Sequence, residues 1–182
     1  MRTKDTKLKA VLVGIAGSNN AFSLSLYNLK AYAYQHVEVR KRWAISVIQR
    51  PLIADFRREK LLSELTDDIV AAAPDIVGFS CYMWNINDFL SISKNLEGRL
   101  PKTRVVLGGP EIATEYVKQG YFDGHAVDFC ISGEGELTFL DLLQNIESGH
   151  PTLTNIDGLS HRLERTAPFI TNSKRTPFKS LS

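Results

Sequence analysis

Asp75-Ile76-Val77-Gly78-Phe79-Ser80-Cys81-Tyr82-Met83-Trp84-Asn85 follows Pro74 and opens with the apolar run Ile76, Val77 and Phe79. So short a run, bounded by a proline and then by polar and aromatic residues, predicts a strand buried on both faces. Its end is unusual. Open α/β sheets usually turn there on small residues, whereas Tyr82 and Trp84 suggest a surface that something flat covers.

The same unit recurs on either side. Upstream, Lys9-Ala10-Val11-Leu12-Val13-Gly14 predicts a first strand, and Ile15–Ala21 predicts a polar loop with N-cap chemistry in Ser18, Asn19 and Asn20. Leu24, Leu26, Tyr27, Ala31 and Tyr34 recur at helical spacing from Ser23 to about Gln35. Ala44–Ile48 is favoured over Val37–Val39 as the second strand, the latter being expected as an extended lead-in. Asp55 can cap a helix from Phe56 to Ala73 that Pro74 ends.

Downstream, Asn85 or Asn87 can cap a helix carrying Phe89, Leu90, Ile92, Leu96 and Leu100, closed by Pro101. Thr103–Leu107 is the fourth expected strand, Glu111–Gln119 a helix and Asp128–Ser132 the fifth strand. A last helix presents Leu137, Leu140, Leu143 and Ile146. Ile156–His161 and Ala167–Asn172 are short extended runs that can pair as a hairpin or lie on the sheet edge, and Ser173–Ser182 has the look of a linker.

Strands alternating with helices require parallel neighbours joined by crossovers. The expected fold is α/β: a five-stranded parallel sheet in the flavodoxin-like order 2-1-3-4-5, helices on both faces, and a C-terminal hairpin-like extension. The division expected is residues 1–150 for this unit and 151–182 for the extension. Ligands of such sheets bind beyond the strand carboxyl ends, at the switch point between strands one and three. Gly14–Ala21 and Ser80–Asn85 lie there. Gly108-Gly109-Pro110 and Gly133-Glu134-Gly135-Glu136 follow the next two strands, and their glycines allow a ligand close to backbone N–H groups.

Composition narrows the function. With 43% hydrophobic and 23% charged residues the chain is that of a globular protein, and a net charge of +2 without an aromatic-flanked basic run disfavours nucleic acid. Arg40-Lys41-Arg42 is expected in a solvated loop. No apolar stretch reaches the roughly 20 residues needed to span a bilayer, and Met1–Lys9 lacks a signal-peptide core. A cytoplasmic setting is therefore expected, with no membrane partner. Cys81 and Cys130 form no metal-ligand spacing and are expected as buried hydrophobes.

Several chemistries are disfavoured. Gly14-Ile15-Ala16-Gly17-Ser18-Asn19 lacks the dinucleotide glycine spacing, no Walker lysine follows a strand, and Ser80 stands where a response regulator needs a phosphorylatable Asp. His36, His125, His150 and His161 fall outside the strand-end loops, so Cys81 has no evident base. Glu136 at a helix start is explained by capping and the dipole, which leaves Glu134 without an acid–base partner. No catalytic residue and no protein-ligated metal are expected.

Val77–Asn85, Val105–Glu111 and Asp128–Glu136, in this order and spacing, resemble the N-terminal cobalamin-binding domain of class B radical S-adenosylmethionine enzymes. The resemblance covers roughly Leu8 to Gly158. It implies a Rossmann-like domain holding the corrin ring against the strand ends. Ser80, Cys81, Tyr82, Met83, Trp84 and Asn85 would lie under the ring. Gly108, Gly109, Pro110 and Glu111, with Gly133, Glu134, Gly135 and Glu136, would accept the corrin amides and nucleotide tail, and Gly17, Ser18 and Asn19 would border the tail groove.

Two departures qualify what is implied. Other cobalamin domains carry Asp-x-His-x-x-Gly after the first strand, where this chain reads Gly14–Asn19, so a base-off cobalamin without a histidine ligand is expected, with Met83 as a remote substitute. No C-x-x-x-C-x-x-C is present, which assigns S-adenosylmethionine and the 4Fe-4S cluster to a radical S-adenosylmethionine domain outside these residues, in cis or in trans. The function implied is a module presenting methylcobalamin for methyl transfer. The alternative is a related docking or substrate-presenting domain that has lost cobalamin.

Overall fold

The computed structural model describes residues 6–17, 23–52, 57–147 and 152–176. In chain order the elements are β1 (Leu8–Ala16), α1 (Leu24–Gln35), α2 (Val37–Arg42), β2 (Trp43–Pro51), α3 (Arg58–Ala72), β3 (Ile76–Ser80) and α4 (Ile86–Arg99). There follow β4 (Arg104–Gly108), α5 (Thr114–Lys118), β5 (Phe129–Ile131), α6 (Gly135–Glu147), β6 (Leu159–His161) and β7 (Ile170–Thr171). They build one sheet in the order β2-β1-β3-β4-β5-β6-β7.

The first five strands are parallel in the expected order, and the switch point falls between β1 and β3. The sheet has seven strands rather than five, and is mixed. β5 has only three residues and would present an open edge; β6 and β7 cover it as an antiparallel hairpin, with Ser160 Oγ donating to Thr171 Oγ1 at 3.1 Å. The tail is thus both a hairpin and an edge extension.

Side chains alternate along each strand and divide the core into two layers. Val11, Val13, Ile15, Val77 and Phe79 face α3 and α4, whose Leu65, Ile69, Phe89, Ile92 and Leu96 cover them. Ala10, Leu12 and Ile76 face α1, α2 and α6, which contribute Leu26, Ala33, Val39, Phe139, Leu142 and Leu143. α3 ends at Ala73, a left-handed residue with φ 45°, and Pro74 precludes its continuation.

Val37–Val39 is helical, not an extended lead-in, and Arg40-Lys41-Arg42 is the last turn of α2 rather than a loop. The alternation Val-Glu-Val reads as strand, but Glu38 in the first turn and three cations in the last suit a helix dipole, and burial of Val39 against the α1–α6 layer decides the matter. α5 is shorter than expected, five residues from Thr114. Asp55 lies outside the described residues.

The hairpin is fastened to the end of the sheet opposite the strand carboxyl ends. Asp128, 1% exposed, accepts bonds from Arg104 Nη1 (2.8 Å), Val105 N (2.8 Å) and Arg165 Nη2 (2.9 Å). Arg162 Nε donates to the Val127 carbonyl at 2.7 Å, and its guanidinium lies 4.3 Å from the Phe169 ring centroid. After β7, Asn172 N donates to Leu159 O, and Arg175 donates to Thr138 and Asp141 on α6.

Replacing Asp128 by Ala leaves the buried Val105 amide without its acceptor and removes the carboxylate that Arg104 and Arg165 share, and should lower unfolding stability by about 3 kcal/mol in urea titration. Burial holds His161 below the ordinary imidazole value, with Asn172 opposing the shift. The unfolded chain therefore takes up the proton first as pH falls through about 6.5. His161 should leave stability whole above that pH and erode it below. The urea midpoint should drop from pH 7 to 5.5, and by less in His161→Gln.

Candidate functional site

The β1–β3 pairing ends at Val13–Phe79, while β1 runs on beside β2 to Ala16 and Pro51. Beyond that last rung the Ile15 carbonyl, on a residue 1% exposed, accepts from two side chains of the β3–α4 loop: Trp84 Nε1 at 3.2 Å and Asn85 Nδ2 at 3.2 Å. Asn85, also 1% exposed, donates to Ser80 O and accepts from Tyr82 N at 2.8 Å. It sits at the N-cap of α4 as expected, but its side chain makes no cap bond; it ties the loop to β1 instead.

This loop carries the two aromatics as one slab. The Tyr82 and Trp84 rings stack with centroids 4.6 Å apart and planes 12° apart. Trp84 is 38% exposed and packs over Gly17, where a Cβ would lie 3.5 Å from the ring; Met83 beside it is 77% exposed. The result is a flat apolar surface above the switch point.

Gly109 keeps the neighbouring loop close. Its φ is 105°, and a Cβ there would stand 2.6 Å from the Cys81 carbonyl oxygen and 2.8 Å from its nitrogen. Cys81 N in turn donates to Gly108 O at 2.6 Å, and Glu111 N donates to Cys81 O. Cys81 is fully buried, and burial, then the proximity of Cys130, pushes its thiol far above the ordinary range. Burial does the same to Cys130. Neither thiol is available as a nucleophile near neutral pH.

The third loop faces α1. Glu134 and Glu136, with Asn28, Tyr32 and Gln35, line an open cleft of about 430 Å³. Gly133 has φ 85° with open space where a Cβ would stand, and the Cβ position of Gly135 lies 3.2 Å from Leu29. At the end of β5, Ser132 Oγ is buried without a hydrogen-bond partner. Ser80 lies 3.5 Å from Ser25 of α1, Oγ to Oγ.

Gly17, the Ser80–Asn85 segment, Gly108–Glu111 and Gly133–Glu136 therefore gather at one sheet edge, as their positions after strands require. Tyr82, Met83, Trp84, Pro110, Glu134 and Glu136 are accessible there, whereas Cys81 and Asn85 lie beneath as supports. Ser18 and Asn19 lie outside the described residues. Sequence reasoning did not find Ser132, Asn28, Tyr32, or the Arg58–Asp88 pair behind the loop. The two helix residues carry no motif, and only the crossing of α3 over α4 brings the charged pair together.

Residues 41–143, more than half of the chain, match the family model described as the B12 binding domain. The chain belongs to the B12-binding domain family. The cobalamin-dependent radical SAM methyltransferase TokK of Streptomyces tokunonensis is 35% identical over 117 residues, 64% of this chain and 17% of that protein. The 2-(S-pantetheinyl)-carbapenam-3-carboxylate methyltransferase of Streptantibioticus cattleyicolor is 32% identical over 120 residues, 63% of this chain and 17% of that protein. The chain thus spans 17% of the length of these curated relatives.

The cobalamin-dependent S-adenosylmethionine radical enzyme OxsB, solved with aqua-cobalamin and S-adenosylmethionine bound, shares the fold of this B12-binding domain. Its TM-score is 0.66 at 17% identity, covering 94% of this chain and 23% of that one. The resemblance in the three sequence blocks is borne out. Among the described residues no helix is long and apolar enough to cross a membrane, and no group of three or more His, Cys, Asp or Glu is placed to hold a metal ion.

The residues present fit a corrin cofactor. A planar aromatic face, side-chain-free glycine loops around it, an orphaned hydroxyl at Ser132 and an adjoining cleft suit a flat macrocycle with polar amides and a tail. Among the described residues of this edge there is no histidine.

Gly109→Ala should cost about 2–3 kcal/mol in urea unfolding, because the left-handed backbone and the Cys81 main chain both oppose a Cβ. Cys81 and Cys130 should resist a thiol-modifying reagent in the folded protein and react fully once it is unfolded.

Proposed function

We propose that this domain binds cobalamin and serves as the cofactor-holding module of a radical S-adenosylmethionine methyltransferase. The observation that carries the reading is the exposed Tyr82–Trp84 stack at the switch point of a B12-binding fold. Bound cobalamin would supply a cobalt-carried methyl group; the protein supplies its placement. S-adenosylmethionine and the iron–sulfur cluster belong, in this reading, to a partner domain in cis or in trans, and residues 151–182 lead toward it from the cofactor unit of residues 1–150.

Each loop has a part. The outer face of the Tyr82–Trp84 stack would lie against one face of the corrin, with Met83 beside it, and would exclude water from it. Cys81 and Asn85 hold that loop from below, and Ser80 closes its base. Backbone amides of Gly108, Gly109 and Glu111, beside Pro110, meet one edge of the ring. Gly133–Glu136 and Ser132 would meet the amides and tail along the α1 cleft; the sequence expectation that Gly17, Ser18 and Asn19 border the tail belongs to the same reading. Among the described residues no histidine stands on this edge, so the reading gives the cobalt no protein imidazole, and base-off cobalamin is the form it expects.

Mixing the purified protein with hydroxocobalamin, removing free cofactor and recording the visible spectrum tests the reading. A retained base-off spectrum is expected, unchanged when His36, His125 and His150 are replaced by Gln, and unchanged again on adding His161→Gln. A folded protein that retains no corrin absorbance overturns cobalamin binding and favours a docking role. Trp84→Asp should weaken retention about tenfold, the value of one aromatic contact. Equal retention would remove Trp84 from the ring face.

A further inference from the structure

The carrier of the aromatic slab is gripped from behind by a pair of charges. Arg58, the first residue of α3, donates through Nη2 to the main-chain carbonyl of Trp84 at 2.7 Å. The same guanidinium closes on Asp88 in the first turn of α4, Nε to Oδ1 at 2.9 Å and Nη2 to Oδ2 at 2.8 Å. Asp88 is 7% exposed. Burying a carboxylate against an arginine is seldom a gain over apolar packing, so the pair invites a reason other than stability.

We propose that Arg58, oriented by Asp88, is a positioning residue: it fixes the Trp84 main chain and thereby the tilt of the Tyr82–Trp84 stack toward the cofactor. The inference rests on the cobalamin reading only for what the stack receives. Trp84 is held at two points, its indole N–H on the Ile15 carbonyl and its own carbonyl on Arg58. With both in place the ring has one orientation before any ligand arrives, and a ligand need not order the loop on binding.

Arginine is specific to this task. One Nη2 group serves both Trp84 O and Asp88 Oδ2 while Nε holds Oδ1, a planar fork that a lysine ammonium cannot reproduce. A role confined to the ion pair would be met by either cation.

The test uses the full chain in a Trp43→Phe background, which leaves Trp84 as the one remaining tryptophan of the two. Near-UV circular dichroism and acrylamide quenching of Trp84 are read without cofactor for Arg58→Gln, Arg58→Lys and Asp88→Asn, and hydroxocobalamin affinity is then measured. Far-UV circular dichroism identifies the folded variants.

Arg58→Gln and Arg58→Lys should both lose the near-UV signal of the stack and raise the quenching constant about twofold. Both should weaken corrin affinity about tenfold, a fold-change equal to about 1.4 kcal/mol. Should Arg58→Gln fail to fold, Arg58→Lys, which keeps the charge beside Asp88, decides the question. Folded variants with unchanged stack signal and quenching overturn the positioning role. A shifted stack with unchanged corrin affinity overturns its link to the cofactor. If the unmutated protein retains no corrin while the stack still shifts, the proposed function fails and the positioning of Trp84 by Arg58 is supported.

Discussion

The Ile15 carbonyl is a buried acceptor at the place where β1 has outrun β3, and a buried acceptor must be met. Two donors from the β3–α4 loop meet it, Trp84 Nε1 and Asn85 Nδ2. That requirement folds the loop back over the switch point and lays an indole across Gly17 in place of an open crevice. The exposed aromatic slab follows from the way the sheet ends. Its indole packs over Gly17 and its partner ring stacks on it, which leaves the slab partly exposed at the switch point.

The remaining loops come close because the residues that would hold them apart are glycines. Gly109 brings its backbone against Cys81, and Gly17 admits Trp84. The same closeness seals Cys81 from solvent, so the residue that draws the eye in the sequence as a nucleophile is a strut. At the opposite end of the sheet, Asp128 and the arginines of the hairpin fasten β6 and β7 to β5. Polar ties thus fasten both ends of the sheet, with Asp128 and its arginines at the N-terminal strand ends and the Ile15 and Arg58 contacts of the β3–α4 loop at the carboxyl ends.

Much of this was legible in the chain. The apolar runs at Val11, Val77 and Val105, each followed by a helical stripe, specify parallel strands, and right-handed crossovers then limit the order. The three blocks around Ser80, Gly109 and Gly133 point to the same edge that the structure assembles. Legibility ends where local pattern and tertiary context disagree. Val-Glu-Val at 37–39 alternates like a strand, yet Val39 is drawn under a helix layer and the segment coils. Arg58 and Asp88 are 30 residues apart and unremarkable singly, so no motif announces their pairing behind Trp84.

By itself the sequence determined the α/β class, the strand order 2-1-3-4-5 and the edge on which the glycine loops collect, because periodicity, turn chemistry and residue identity are local properties. Only the tertiary structure decided that the tail completes a seven-stranded mixed sheet, that Cys81 and Asn85 support the loop from within, and that Tyr82 and Trp84 form one slab held through Ile15 and Arg58. Those outcomes depend on which buried polar groups meet across elements far apart in the chain, and that is settled only when the sheet and both helical layers close together.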